Sequence, residues 1–230
     1  MEKITRFIEK KVDEAKADGV VIGLSGGLDS SVVAALSVRA LGKEGVLGLL
    51  LPSPTTNPDD TRDAEELARS LDIQYKKIPL EPILEAFRGS LEVDKFAYGN
   101  LMARVRMILL YYYANLNNLL VVGTGNKTEL SVGYFTKYGD GGCDMLPLGD
   151  LYKTEVKELA KELAIPEKII EKTPTAGLWE GQTDEGELGI KYEELDNVLK
   201  GKAKSERVQE LIKASEHKRR APDICLLKNP

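Results

Sequence analysis

One histidine and two cysteines in 230 residues leave the chain little with which to build a zinc site or a disulfide framework. Cys143 and Cys225 have neither the number nor the spacing for either, and they are expected to be reduced thiols. No run approaches the roughly 18 consecutive apolar residues of a membrane span. The first residues, MEKITRFIEKKVDEAK, are charged and helical in period, unlike a secretory leader. A surplus of positive charge is also missing: 32 Lys and Arg stand against 37 Asp and Glu, for a net charge of −5. A surface that binds nucleic acid as a whole needs a basic stripe, so that class is set aside, while a local basic pocket for a small anion stays open. These absences predict a cytoplasmic location, with no membrane or nucleic acid as partner.

What is present is ordinary globular material, 42% hydrophobic and 30% charged, in a length that one core can organise. A single domain over residues 1–230 is expected. Residues Gly19 to Leu24 form an apolar β-branched run, and Asp29/Ser30 introduce a helical pattern closed by Gly42. Val46 to Leu51 repeats the theme, followed by a Pro/Thr/Asn loop and a helix capped by Asp59 or Asp60. Tyr75 to Leu80 gives a third strand, Glu81-Pro82 opens another helix, and Leu119 to Val122 gives a fourth strand after a long helix. Alternation of this kind predicts an α/β fold, a doubly wound parallel sheet flanked by helices, with ligands at the carboxyl ends of the strands. The helix from about Asn100 to Asn117 is apolar nearly all round, so it is covered on several sides, either inside the monomer or by a second subunit. Thr173 to Gly189 is too rich in Gly, Thr and Asp to be regular and reads as a long functional loop.

Three patches carry chemistry. Ser25-Gly26-Gly27-Leu28-Asp29-Ser30-Ser31 lies between a strand and a helix, where adjacent glycines bring N–H groups to an anion and the helix start adds a positive dipole end. No lysine follows the glycines, so this is not a P-loop, and Asp29 makes sense beside phosphate when Mg²⁺ lies between them. The competing reading is a capped glycine turn without a ligand. Gly123 to Glu129 and Gly133 to Asp144 form a second patch at the end of the fourth strand, and Asp29 and Glu129 are candidates to share a metal. A solvated glycine-rich loop is its plain alternative. The third patch is Lys153-Thr154 at a helix start, with Thr175 beyond it. His217-Lys218-Arg219-Arg220 gives the acidic chain a basic tail, which a solvated helix end also explains.

Taken in order along the chain, these segments resemble one family. Ser25 to Ser30 is similar to the SGGxDS motif of the N-type ATP pyrophosphatases, which split ATP between its α- and β-phosphates. The runs Gly123 to Glu129, Gly133 to Asp144, Pro174 to Trp179 and Glu216 to Arg219 resemble the ammonia-dependent NAD synthetase branch. The resemblance implies the adenine nucleotide α-hydrolase-like fold and a homodimer with the dinucleotide near its interface. It also implies that Gly23, Leu24, Ser25, Gly26, Gly27, Leu28, Asp29 and Ser30, with Thr124, Lys153 and Thr175, bind ATP. Asp29 and Glu129 would ligate Mg²⁺ and, with Lys153, serve catalysis. Arg104, Lys137, Asp144, His217 and Lys218 would hold deamido-NAD.

The implied reaction makes an amide from a carboxylate. The carboxylate attacks the α-phosphorus of ATP, pyrophosphate leaves, and ammonia displaces AMP from the acyl-adenylate; water must be kept out. No sequence feature supplies a covalent nucleophile. Free ammonia is the expected donor, because only one helix and one strand precede Ser25, too little for an amidase domain. Two rivals remain at this stage: another pyrophosphatase-class enzyme acting on a nucleotide or tRNA base, and a nucleotide-binding module without turnover. The combination of Asp29, Glu129 and Lys153 speaks against the second.

Overall fold

The computed structural model describes residues 1–92, 94–179, 181–225 and 227. Four short strands form its sheet: β1 (Gly19–Gly23), β2 (Val46–Leu50), β3 (Gln74–Lys77) and β4 (Leu119–Val122). All pair in parallel in the order β3-β2-β1-β4, with Val20 opposite both Val46 and Leu120. The chain therefore steps outward from β1 through β2 to β3 and returns to place β4 on the other side of β1. That reversal opens a crevice beyond the carboxyl ends of β1 and β4.

Both faces of the sheet are covered at β1, β2 and β4, which is why these strands are continuously apolar rather than alternating, while the edge strand β3, Gln74-Tyr75-Lys76-Lys77, is polar and mostly exposed. Val20 and Ile22 of β1, Leu50 of β2 and Val122 of β4 belong to one core cluster. It is covered by α1 (Glu2–Ala15), α2 (Leu28–Leu41), α3 (Pro58–Ser70), α7 (Lys153–Glu162) and α8 (Glu167–Ile170). Val21, Leu49 and Val121 point the other way, into a second cluster beneath α4 (Glu81–Glu85) and α5 (Lys95–Leu116). A smaller third cluster joins α6 (Lys127–Val132), α9 (Asp184–Leu188), α10 (Tyr192–Leu199) and α11 (Glu206–Ala214) around Val132, Leu195 and Val208. It sits off the sheet and carries the later segments to the site.

Element boundaries differ from the sequence reading where a cap decides them. Asn57, not Asp59 or Asp60, caps α3: its side chain accepts from Asp59 N at 3.0 Å, with Pro58 in the first turn. Asp94 starts α5 five residues before the expected Asn100 by accepting from Ala97 N at 2.7 Å. The segment 173–189, expected to be irregular throughout, ends in α9, which Thr183 caps through Gly186 N. The third strand ends early as a ladder, yet Ile78 N and Leu80 N still donate to Leu50 O and Pro52 O at 2.8 Å.

The apolar stripe of α5 is only partly covered within the chain. Met102, Val105 and Leu110 are buried, while Ile108 (65% exposed), Tyr112 (60%) and Leu116 (62%) form an i, i+4, i+8 row open to solvent.

Leu49 is fully buried at the centre of the sheet. Leu49→Ala is expected to cost about 2–5 kcal/mol through lost burial and the cavity left behind. Urea unfolding should show a lower midpoint with an unchanged slope; a midpoint like that of the unaltered protein would place the core elsewhere.

Candidate active site

The turn between β1 and α2 has features that suit an anion. Gly26 has φ +77°, and a Cβ there would lie 2.1 Å from Asp60 O, so no other residue fits. Ser25 Oγ accepts from Gly27 N at 3.2 Å and lies 3.0 Å from Ser30 Oγ, while Ser31 Oγ donates to Gly27 O at 2.7 Å. The serines thus hold the turn from within. No side chain caps α2, so the N–H groups of its first turn remain available to a ligand, backed by the helix dipole.

Asp29, in that first turn, meets residues from the far side of the crevice. Asn126, just past β4, caps α6 by accepting from Glu129 N at 3.0 Å, while Glu129 Oε2 accepts from Asn126 N. The Asn126 side-chain amide then donates to Asp29 Oδ1 at 3.0 Å. One asparagine therefore shapes the start of α6 and ties it to the start of α2. Lys153, the first residue of α7, places its ammonium against Asp29 Oδ2 and 3.1 Å from Glu129 Oε1. Its side chain is 9% exposed.

The backbone beneath Lys153 is fixed by a buried carboxylate. Asp196 of α10 accepts from Thr154 N at 3.0 Å, Thr154 Oγ1 at 2.8 Å and Thr128 Oγ1 at 2.5 Å. Lys153 N in turn donates to Thr128 Oγ1 at 2.9 Å. An anion at the start of α7 is favourable, and this one joins α6, α7 and α10 at the point where Glu129 and Lys153 emerge.

A third carboxylate, Asp184 of α9, stands behind the pair. Tyr192 OH lies 3.0 Å from Asp184 Oδ2 and 3.4 Å from Glu129 Oε1, and Tyr134 OH lies within bonding distance of Asp184 and Glu187. Three acids thus surround one ammonium. Burial, reinforced by Asp29 and Asp184 and opposed by Lys153, pushes the Glu129 carboxyl up to about 7. Burial likewise raises Asp184. Lys153 is held above the ordinary lysine range: burial works against its charge, and Asp29 and Glu129 more than offset it.

The expected dinucleotide-binding residues converge from three distant segments. Arg104 Nε donates to Lys137 O at 3.2 Å, Lys137 Nζ to His217 O at 2.6 Å, and Lys218 Nζ to Gly133 O and Phe135 O at 2.8 Å. Asp144 is engaged differently. Its carboxylate accepts from Val121 N at 2.7 Å and Tyr111 OH at 3.0 Å, which pins residues 143–145 beside β4. Thr175 closes its own turn, donating to Gln182 O and accepting from Gly177 N. Thr124 and Glu129 line a small cavity of about 40 Å³ with Gly125, Leu130, Phe135, Asp140, Gly141 and Leu146. The larger open groove of about 500 Å³ lies elsewhere, along α11, and holds none of these residues.

Comparison with known proteins identifies the family and the fold. A profile described as NAD synthase matches residues 1–222. The chain belongs to the NAD synthase family. It is similar to the NH(3)-dependent NAD(+) synthetase of Methanocaldococcus jannaschii, at 54% identity over 96% of this chain and 93% of that one. The protein of the same name from Archaeoglobus fulgidus is 50% identical over 100% and 97%. Among solved structures, the NMN synthetase of Francisella tularensis has a TM-score of 0.93 and 42% identity, covering 97% of this chain and 96% of its own. The NH3-dependent NAD synthetase of Campylobacter jejuni has a TM-score of 0.81 and 39% identity over 98% and 96%. The adenine nucleotide α-hydrolase-like fold expected from the sequence is the fold of these NAD synthetases.

Sequence reasoning missed Asn126, Asp184 and Tyr192. A signal existed for the first, since Asn126-x-x-Glu129 has capping-box spacing; nothing local marks the other two. Among the described residues no cluster of three or more acidic, His or Cys side chains is arranged as a complete metal cage. The donor chemistry nevertheless fits Mg²⁺, which favours one or two carboxylates completed by substrate phosphates. Asp29 and Glu129 supply hard oxygens, and three acids against one ammonium leave the site short of positive charge.

The raised Glu129 carboxyl sets a pH dependence. Between about pH 4.5 and 7 the folded, ligand-free protein binds more protons at Glu129 than the unfolded chain does, so stability falls as pH rises through that window. The loss is on the order of 3 kcal/mol. Glu129→Gln is expected to raise the thermal midpoint of the ligand-free protein at pH 8 and to weaken this pH dependence, while activity is lost. A lowered midpoint at pH 8 would show that the Glu129 charge is fully compensated by Lys153.

Proposed function

We propose that the chain catalyses the ATP-dependent amidation of deamido-NAD by ammonia, giving NAD, AMP and pyrophosphate through an acyl-adenylate. The observation that carries this reading is the meeting of Asp29, Glu129 and Lys153 beside an uncapped, glycine-turned helix start at the switch point of the sheet. The near full-length likeness to ammonia-dependent NAD synthetases supports it.

In this reading residues 23–30 hold the ATP phosphates through backbone N–H groups and the α2 dipole, with Thr124, Lys153 and Thr175 as further contacts. Asp29 and Glu129 would hold Mg²⁺, which would supply positive charge beside the phosphates. Lys153 keeps the two carboxylates together and adds its own positive charge beside the α-phosphorus. Arg104, Lys137, Asp144, His217 and Lys218 orient deamido-NAD so that a nicotinate carboxylate oxygen attacks that phosphorus; the phosphorus–oxygen bond to pyrophosphate breaks. Ammonia then adds to the acyl carbon, AMP leaves, and the nitrogen gives up a proton. The cavity beside Glu129 has room for a small molecule such as water or ammonia.

The working unit is a homodimer of single-domain chains in the cytoplasm. The row Ile108, Tyr112 and Leu116 lies on the helix that carries Arg104, so a second copy covering it would stand next to the dinucleotide residues. No described helix is long and apolar enough to cross a membrane.

With ATP, Mg²⁺ and deamido-NAD, ammonium chloride should drive stoichiometric release of AMP and pyrophosphate, and glutamine should not. Nicotinate mononucleotide is the comparison acceptor, since one solved relative is named an NMN synthetase. Preference for it over deamido-NAD, or efficient use of glutamine, would overturn the assignment of substrate or donor. For the assembly, Ile108→Lys with Tyr112→Lys should convert a dimer to a monomer by light scattering. An unaltered protein that is monomeric at micromolar concentration with full activity would remove the dimer.

A further inference from the structure

Lys172 lies outside every motif singled out above, between α8 and the segment that carries Thr175. Its Nζ donates to Gly26 O at 3.0 Å and meets Asp60 Oδ1 and Asp63 Oδ2 at 2.6 Å each. All three protons of the ammonium are thereby directed to acceptors, and three quarters of the side chain is buried. Gly26 is the left-handed residue of the phosphate turn, and the backbone of Asp60 abuts it so closely that no side chain fits between them. One ammonium therefore joins the turn, the start of α3 and the base of segment 173–183.

We infer that Lys172 is a positioning residue for ATP: it fixes the Gly26 peptide and neutralises the Asp60 carboxylate, so that this part of α3 presents no uncompensated negative charge to the triphosphate. The inference rests on the reading that residues 23–30 bind the phosphates. Asp63 and Asp60 differ in how much they depend on Lys172. Asp63 is nearly buried and is also held by Lys168 at 2.5 Å. Burial alone would raise its carboxyl, but the bonds from Lys168 and Lys172 prevail and hold it below the usual range. Asp60 meets Lys172 and no second lysine or arginine among the described residues. Loss of Lys172 therefore leaves Asp63 paired and Asp60 bare, beside the turn that must accept a polyanion. Like charge in a partly desolvated site is poorly screened, so the penalty falls on ATP binding rather than on deamido-NAD.

The test is equilibrium binding of a non-hydrolysable ATP analogue with Mg²⁺ by calorimetry, together with separate KM values for ATP and deamido-NAD. Lys172→Met is expected to weaken the analogue and raise KM for ATP at least about tenfold, leaving KM for deamido-NAD within about twofold. Asp60→Asn with Lys172→Met should recover most of the loss, because the bare charge is gone. Asp60→Asn alone should bind the analogue about two- to threefold tighter, and it keeps the test open if Lys172→Met fails to fold. Ser30→Ala is the control for the turn itself. If Ser30→Ala weakens the analogue and Lys172→Met does not, or if the double variant shows no recovery, the role of Lys172 is overturned. If Ser30→Ala also leaves binding unchanged, the phosphate assignment of the turn is what has failed. Equal rises in both KM values with a lowered thermal midpoint would reduce Lys172 to a structural residue.

Discussion

One ammonium held among more carboxylates than it can neutralise is the constraint on which this site depends. Lys153 touches Asp29 and Glu129, and Asp184 stands behind them through Tyr192. Burying acids together is costly unless charge is supplied, and the cost appears as a Glu129 carboxyl raised to about 7. The cluster of Asp29, Glu129 and Asp184 around Lys153 is thus short of positive charge. In the proposed function a hard cation bound with a polyphosphate would relieve the shortage of charge and satisfy the uncapped end of α2 together, so both features would suit the same ligand.

The fold makes that arrangement rigid. Asp29 comes from the start of α2, Glu129 from the start of α6 and Lys153 from the first residue of α7. Helix starts are well-defined places for side chains, because a cap fixes the entry angle, and here the caps are shared. Asn126 serves α6 and Asp29 together, and Asp196 serves α7 while gripping Thr128 of α6. The parallel sheet adds the last requirement. Its order reverses between β1 and β4, which brings the ends of these neighbouring strands, 97 residues apart at the Asn126–Asp29 contact, to the same crevice. In the proposed reaction the protein's contribution is placement and charge.

The sequence made β1, β2 and β4 legible because both faces of the sheet are covered there: GVVIG, VLGLL and LLVV are apolar throughout and each is followed by turn residues. The glycine turn before α2 was legible for a different reason. Its chemistry is local, with glycines, hydroxyls and a helix start within seven residues, so spacing alone records it. Asp29, Glu129 and Lys153, which the fold brings together, were singled out through family likeness and strand-end position, not through any pattern that links them. Boundaries failed where a neighbour's cap overrode periodicity, as Asn57 does for α3 and Asp94 for α5. Segment 173–189 looked irregular because its composition is, yet Thr183 and the third core cluster suffice to wind α9 from it.

Asp184, Tyr192, Asp196 and Lys172 share the property that hid them. Each acts through a partner far away in sequence: Lys172 reaches Gly26 across 146 positions, and Asp196 reaches Thr128 across 68. A lone lysine or aspartate in a polar segment reads as a solvated charge, and on composition that is the sound reading. Only folding shows that Asp196 is buried with three donors and that Lys172 has three acceptors. The residues proposed to bind substrate are therefore the ones a sequence announces, since they sit in short turns and helix starts. Those that hold the binding residues in place are written in long-range pairs, and it is these pairs that make the difference between a motif and a site.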